Sequence, residues 1–139
     1  MTRRWSWFPF LLASLIALAP APAHGQQSVI VPSTMVSVPI TGTIAAATVI
    51  VAGQAGKSIY VTGVVLIPVA TSVVTFTQGT GAGCGTGTSN VTGAMTFAAG
   101  QTLTAGDGFG VVWVLAPSNS LCITIATAAA PGSLSYALF

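Results

Sequence analysis

The chain has almost no charged side chains beyond its first few residues. Of 139 residues, three are Lys or Arg and one is Asp or Glu, whereas charged residues make up about a quarter of an ordinary soluble domain. After Arg3 and Arg4, the only charged side chains are Lys57 and Asp107. No basic patch is available to neutralise phosphates, so the sequence predicts no nucleic-acid partner.

Groups for catalysis and metal binding are equally scarce. His24 is the only histidine and Asp107 the only side-chain carboxylate. Neither the carboxylate pair of a glycosidase nor a Ser-His-Asp triad can be assembled within the main part of the chain. Metal-ligand clusters are missing as well. The sequence therefore predicts a protein that is not an enzyme and needs no cofactor or metal, with Lys57 and Asp107 as solvated turn residues.

Residues 1–25 have the pattern of a secretory signal peptide with a helical apolar core. Arg3 and Arg4 precede the apolar stretch Phe8–Ala19, and small residues follow it. Cleavage before Gln26 is favoured, with cleavage before His24 as the alternative. The apolar stretch is short for a bilayer core about 30 Å thick, so a retained membrane anchor is the less favoured interpretation.

The mature chain, residues 26–139, is predicted to be one exported domain with a single disulfide. Its two cysteines are Cys84, in the glycine-rich segment Gln78–Asn90, and Cys122, in the strand-like run Leu121–Ala126. An even number of cysteines in an oxidising compartment indicates a disulfide. A metal site or a redox pair is less favoured, because no further ligands and no Cys-x-x-Cys are present. The expected location is secreted, periplasmic or on a cell or particle surface, with no membrane span in the mature chain.

Short alternating apolar segments at about ten-residue spacing predict an all-β fold. Eight or nine strands and no amphipathic helix are typical of an antiparallel β-sandwich or jelly roll. Pro39 cannot donate to a β-ladder and indicates an edge strand. Ser58–Ile67 is nearly all apolar and predicts a central strand covered on both faces. The predicted strands are Thr34–Ile40, Ala46–Ala52, Ser58–Ile67, Ser72–Phe76, Thr92–Ala98, Gln101–Thr104, Phe109–Leu115, Leu121–Ala126 and Ser133–Phe139.

Three residues are candidates for contact with a ligand or an interface. Thr80 and Asn90 flank the glycine-rich segment, which is predicted to be a loop, and loops on a rigid sandwich often carry recognition chemistry. Trp113 lies in an apolar run, so packing in the core is its favoured role, with a carbohydrate platform as the alternative. A phosphate cradle is excluded because no Gly-Lys-Ser/Thr ending follows the glycines.

The neutral exterior has two interpretations. Near-zero net charge favours association, so much of the surface is expected to be buried in a homo-oligomer or larger lattice. Alternatively, a stable exported β domain tolerates a surface made of hydroxyl, amide and small residues.

Four segments of the chain resemble corresponding segments of a known protein family. They are Ala55–Ile59 at the start of a strand, Val91–Met95 followed by Ala98–Gly100, Asn119–Thr124, and Gly132–Tyr136. Over residues 55–139 the chain resembles a family of small β-sandwich proteins of tailed bacteriophages and prophages. The resemblance implies a structural component of the virion surface or a decoration protein, without catalytic residues. A secretory leader departs from that pattern, so an exported chromosomal relative fits equally.

The favoured hypothesis is an exported, self-associating structural protein similar to phage virion surface or decoration proteins. One alternative is a secreted module that binds a carbohydrate or a cell-surface partner. A further alternative is a pilus-type subunit completed by a donated strand.

Overall fold

The structure, a computed structural model, describes residues 35–107 and 110–139. Within these ranges the chain is all-β, apart from one 3₁₀ turn at Ala82–Cys84. Its strands are β1 (Val36–Ile40), β2 (Ile44–Val51), β3 (Ile59–Leu66), β4 (Ser72–Thr80), β5 (Thr86–Asn90), β6 (Met95–Phe97), β7 (Leu103–Ala105), β8 (Trp113–Val114), β9 (Ser120–Ala126) and β10 (Gly132–Leu138).

The strands form two antiparallel sheets, as the sequence predicted for a β-sandwich. Sheet A has the order β1-β10-β3-β7, and β8 also pairs with β3. Sheet B has the order β2-β9-β4-β5, and β6 also pairs with β4. Most strands therefore lie beside partners that are distant in the sequence.

Apolar side chains at every second position of the strands fill the space between the two sheets. In β4, Val74 and Phe76 are completely buried, whereas Thr75 and Thr77 on the opposite face are only half-buried. Alternating residues of a strand point to opposite faces, so β4 contributes one apolar row to the core. The largest fully buried side chains are Phe76, Ile40, Ile59, Leu66, Leu115, Leu121, Ile123, Ile125, Leu134, Val61, Val64 and Val74.

A β-bulge in β3 shapes the outer face of sheet A, the face directed away from sheet B. Ser135 pairs with Gly63, but the next residue of β10, Tyr136, pairs with Val61. Thr62 is therefore an extra residue in β3, and such a residue bends its strand locally. Because of this shift Val61 and Val64 are both buried, while Tyr60 and Gly63 remain on the outer face.

Several strand boundaries differ from the sequence predictions. The predicted loop Gln78–Asn90 contains the end of β4, the 3₁₀ turn and the whole of β5. Of the predicted strand Phe109–Leu115 only Trp113–Val114 is a strand, and Phe109 lies outside the described residues. Thr92–Ala98 shortens to β6. The described ranges hold ten strands rather than eight or nine.

Two predictions concern where strands lie in the sheets. β1, which contains Pro39, is at the edge of sheet A, as predicted. β3 lies inside sheet A, but the expectation that both its faces are covered is wrong, because Val65 on the outer face is 37% exposed.

The predicted signal peptide, residues 1–25, lies outside the described residues. Nothing helical within residues 35–107 and 110–139 has the length and hydropathy needed to cross a membrane.

Candidate functional site

The predicted disulfide between Cys84 and Cys122 is confirmed, with Cα atoms 6.2 Å apart. Cys84 ends the 3₁₀ turn, and Cys122 pairs with Thr77 on the side of sheet B away from the core. The bond therefore fastens the 3₁₀ turn onto the outside of sheet B. Both cysteines are completely buried, so the bond has a structural role and is not accessible for redox exchange.

The three candidate contact residues do not form one site. Thr80 and Asn90 are exposed, but the β4–β5 register pairs Asn90 with Thr77, whereas Thr80 pairs with Thr86. They lie at opposite ends of this strand pair. The ring centroid of Trp113 lies 5.1 Å from that of Phe76 in the opposite sheet. Trp113 is half-buried and packs against the core, which agrees with its favoured role.

The described residues contain no cluster of three or more His, Cys, Asp or Glu side chains that could hold a metal ion. Lys57 and Asp107 are both exposed and lie outside the strands. Lys57 belongs to the turn before β3, where its carbonyl accepts a hydrogen bond of 2.8 Å from the backbone N–H of Ser118. Asp107 follows β7.

A cavity of about 280 Å³ lies on the outer face of sheet A. Its lining includes the carboxylate-bearing Asp107 and two serines of β10, Ser133 and Ser135. Both serines pair with outward-facing residues of β3, because Ser133 lies opposite Val65 and Ser135 opposite Gly63. The full lining is Gly63, Val64, Val65, Gly106, Asp107, Ser133 and Ser135.

Gly106 brings Asp107 to this cavity. Its backbone packs so closely on β3 that a Cβ would lie 2.3 Å from the carbonyl oxygen of Thr62, and its φ is +72°. Only glycine combines this approach with a positive φ. The chain's only side-chain carboxylate is thus held beside the bulge of β3.

Next to the cavity is an apolar row made of Met35, Tyr60, Val114, Ala137 and Phe139. Ala137 pairs with Tyr60, and Tyr60 pairs with Val114, so the row crosses β10, β3 and β8. The Phe139 ring packs edge-on against Tyr60, with centroids 5.2 Å apart.

Three members of the apolar row are strongly exposed: Met35 at 46%, Val114 at 54% and Phe139 at 48%. Met35 also extends toward β3, where its Sδ accepts a hydrogen bond of 3.6 Å from Thr62 Oγ1. The row therefore adjoins the bulge that borders the cavity. None of its members is charged, and Ala137 within it is buried.

Asp107 is the charged residue that the structure places beside the cavity and the bulge. It follows the glycine that packs on Thr62, whereas Lys57 lies in the turn before β3.

Chemically, this face offers acceptors for hydrogen bonds. A carboxylate and two hydroxyl groups can accept several hydrogen bonds from an ammonium or a polyol. The sequence did not point to Ser133 and Ser135, although their two-residue spacing places them on one face of a strand. No protein-family model, curated protein or solved structure matches the chain.

Proposed function

We propose that this chain is an exported, non-catalytic structural protein that self-associates through its β-sandwich on a particle or cell surface. The observation that carries the proposal is the outer face of sheet A, where an exposed apolar row lies in a chain with almost no charge to keep copies apart. Contiguous exposed apolar surface marks interaction sites, and near-zero net charge promotes association.

The strand order supports a jelly roll as the finer description of the fold. β5 and β6 pair with different parts of β4, and β7 and β8 pair with different parts of β3. Each of these two pairs therefore occupies the place of one interrupted strand, which leaves eight positions in two Greek-key halves. Jelly rolls are common in viral capsid and lectin domains, in keeping with the resemblance to phage virion surface proteins.

Export is supported by the disulfide and by the leader-like sequence of residues 1–25. Disulfides persist in secreted, periplasmic and surface proteins and are rare in the cytosol. We propose one of these oxidising locations for the mature chain, residues 26–139.

Size-exclusion chromatography with multi-angle light scattering on oxidised residues 26–139 tests self-association. We expect a mass that is a multiple of the monomer at micromolar concentration and that falls on dilution, since association depends on protomer concentration. A monomer at every concentration would contradict the proposal.

A secreted carbohydrate-binding module is the second candidate, and the cavity beside Asp107 favours it. A carboxylate flanked by serine hydroxyls can accept hydrogen bonds from sugar hydroxyls. Binding on a glycan array that Asp107→Asn removes and Trp113→Ala retains would place the sugar in the cavity. Array binding that depends on Trp113 instead would favour the aromatic platform, and an array without any binding would remove this candidate.

For a pilus-type subunit, the isolated domain needs an open groove along its core. In the described residues β10 lies between β1 and β3, and the cavity is on the outer face rather than along the core. No contact in this part of the chain favours that third hypothesis.

A further inference from the structure

We propose that one end of the β-sandwich lies on a lipid membrane, with the side chains of Ile67 and Val69 entering the boundary of its hydrocarbon layer. This inference rests on the proposed location at a cell surface and specifies what the chain contacts there. It concerns a contact with the membrane surface and not a span across the membrane.

Four connections between strands meet at this end of the sandwich, which we call the loop end. In sheet A, the last residues of β1 and β3 lie side by side with the first residues of β10 and β7. In sheet B, β4 begins beside the ends of β6 and β9. The four connections are residues 41–43, 67–71, 98–102 and 127–131.

The loop end has an apolar surface without any charged side chain. Its residues are Ala, Gly, Ile, Pro, Thr and Val, with Gln101 as the one larger polar side chain. Val69 is 64% exposed, more than any other large apolar side chain in the described ranges, and Ile67 is 47% exposed. Ala70 and Ala99 are exposed as well. Exposed apolar surface of this kind marks an interaction site.

The backbone N–H groups beside these two side chains already have partners within the protein. The N–H of Ile67 donates to the carbonyl oxygen of Pro131 at 2.9 Å. The N–H of Val69 donates to the carbonyl oxygen of Ala129 at 3.0 Å. Pro68, which lies between them, has no N–H. None of the three residues therefore needs water for a backbone donor.

The neighbouring connection 98–102 is satisfied in the same way. The N–H of Gly100 donates to the carbonyl oxygen of Pro68 at 2.7 Å, and the N–H of Gln101 donates to that of Ala98 at 3.1 Å. The side chain of Gln101 serves its own loop, because its Oε1 accepts a hydrogen bond of 3.0 Å from the N–H of Ala98. Groups that are paired within the protein can leave water without the cost of an unsatisfied donor.

The two charged residues of the described ranges lie away from the loop end. Lys57 precedes β3, and it is the other end of this strand, Leu66, that borders the loop end. Asp107 follows β7, which begins at the loop end and leads away from it. Contact of the loop end with hydrocarbon therefore requires no charged group to lose its water.

The composition of the loop end favours lipid over a protein partner. Protein interfaces are enriched in aromatic residues, Met and Arg, which anchor the contact in pockets, and the loop end has none of these. Lipid hydrocarbon requires only an apolar surface whose polar groups are paired. Because Lys and Arg, which attract anionic lipids, are absent as well, the expected partner is a zwitterionic lipid surface.

Vesicle flotation tests the contact. The oxidised mature chain, residues 26–139, is mixed with phosphatidylcholine vesicles and centrifuged through a density gradient. We expect the wild type to float with the vesicles equally well at low and high salt, since no charge takes part. Val69→Asp should weaken the binding by about tenfold or more, because a carboxylate at this position would have to leave water.

Matched variants separate the contact from effects on folding and net charge. Thr80→Asp adds the same charge at an exposed residue that ends β4, on the side of the sandwich away from the loop end; it should leave flotation unchanged. Val69→Phe adds apolar surface and should strengthen the binding. Far-ultraviolet circular dichroism and the melting temperature confirm that every variant is folded.

Each outcome decides one question. A wild type that does not float with phosphatidylcholine vesicles, or equal losses in Val69→Asp and Thr80→Asp, would overturn the lipid contact. Binding that needs anionic lipid and disappears with salt would also overturn it, because charge would then drive the association. Light scattering without lipid tests self-association separately: an oligomer that does not bind lipid leaves the proposed function standing, whereas a monomer that binds lipid contradicts that function and supports the contact.

Discussion

At the scale of single residues, Gly132 shows how closely the backbones of sheet A approach. A Cβ at this position would lie 1.9 Å from the carbonyl oxygen of Val65. Because that atom belongs to the backbone, β10 would have to move away from β3. We expect Gly132→Ala to lower the free energy of unfolding by at least about 2 kcal/mol, as overpacking does, measured by urea denaturation.

Gly93→Ala is the matched control for that experiment. Nothing lies within 4 Å of a Cβ at Gly93, and its φ is not in the left-handed region. A surface change of this kind shifts stability by about 0.5 kcal/mol or less. Equal effects of the two substitutions would contradict the close approach at Gly132.

The disulfide gives a second prediction at this scale. Cys84 and Cys122 are 38 residues apart in the sequence, and closing a loop of this length stabilises a fold by about 3–4 kcal/mol in the chain-entropy model. The double variant Cys84→Ala/Cys122→Ala should therefore unfold at a clearly lower temperature than the oxidised wild type, by differential scanning calorimetry. Wild type that is unfolded and refolded under reducing conditions should melt at a lower temperature than the oxidised wild type, whereas the same treatment should leave the variant unchanged; an unchanged melting temperature of the fully reduced wild type would disprove the stabilising role.

At the scale of elements, β5 and β9 differ most in their surroundings. All five residues of β5 are exposed, and it pairs with β4 alone. β9 is mostly buried and lies between β2 and β4. Backbone amides with few buried contacts open most easily.

We therefore expect hydrogen exchange to be fast in β5 and slow in β9. Mass spectrometry of peptic fragments under native conditions would measure both. Reduction of the disulfide should speed exchange in β5 further, because the bond holds the turn that leads into this strand. Protection of β5 equal to that of β9 would contradict this account.

The glycine-rich segment marks where sequence reasoning about elements fails. Glycines suggested a loop at Gln78–Asn90, because glycine is depleted in strands. Gly79 is instead within β4, where a Cβ would lie 2.7 Å from the carbonyl oxygen of Cys84. The glycine permits the turn to pack on the strand, and that contact is tertiary. The alternation of Val74 and Phe76 with Thr75 and Thr77, by contrast, is visible in the sequence itself.

The prediction of a strand at Phe109–Leu115 was wrong for a related reason. Its apolar residues suggested one long strand, but β7 pairs with the other half of β3 and leaves only Tyr60 and Val61 for β8. A strand's length depends on its partner, and the partner is not visible in the run itself.

Only individual residues of the candidate site could be predicted from the sequence, and not their positions relative to one another. The scarcity of charge singled out Lys57 and Asp107, but as solvated turn residues. The apolar row and the placement of Asp107 beside the cavity depend on the register of β10, β3 and β8 and on the bulge at Thr62. These pairings join segments that are far apart in the sequence, so no local pattern indicates them.

At the scale of the whole molecule, the proposed self-association depends on the concentration of the chain. We expect the mass measured by light scattering to fall toward that of the monomer on dilution. A mass that stays at the monomer value at every concentration would contradict self-association.

The partnership of β1 with β10 governs when the fold can be completed. Val36 pairs with Tyr136, about a hundred residues later, and such distant contacts slow folding. Under the proposed export, the chain would cross a secretion pore from its amino end, and β1 would stay unpaired until β10 has followed it. Completion of sheet A would accordingly come after translocation.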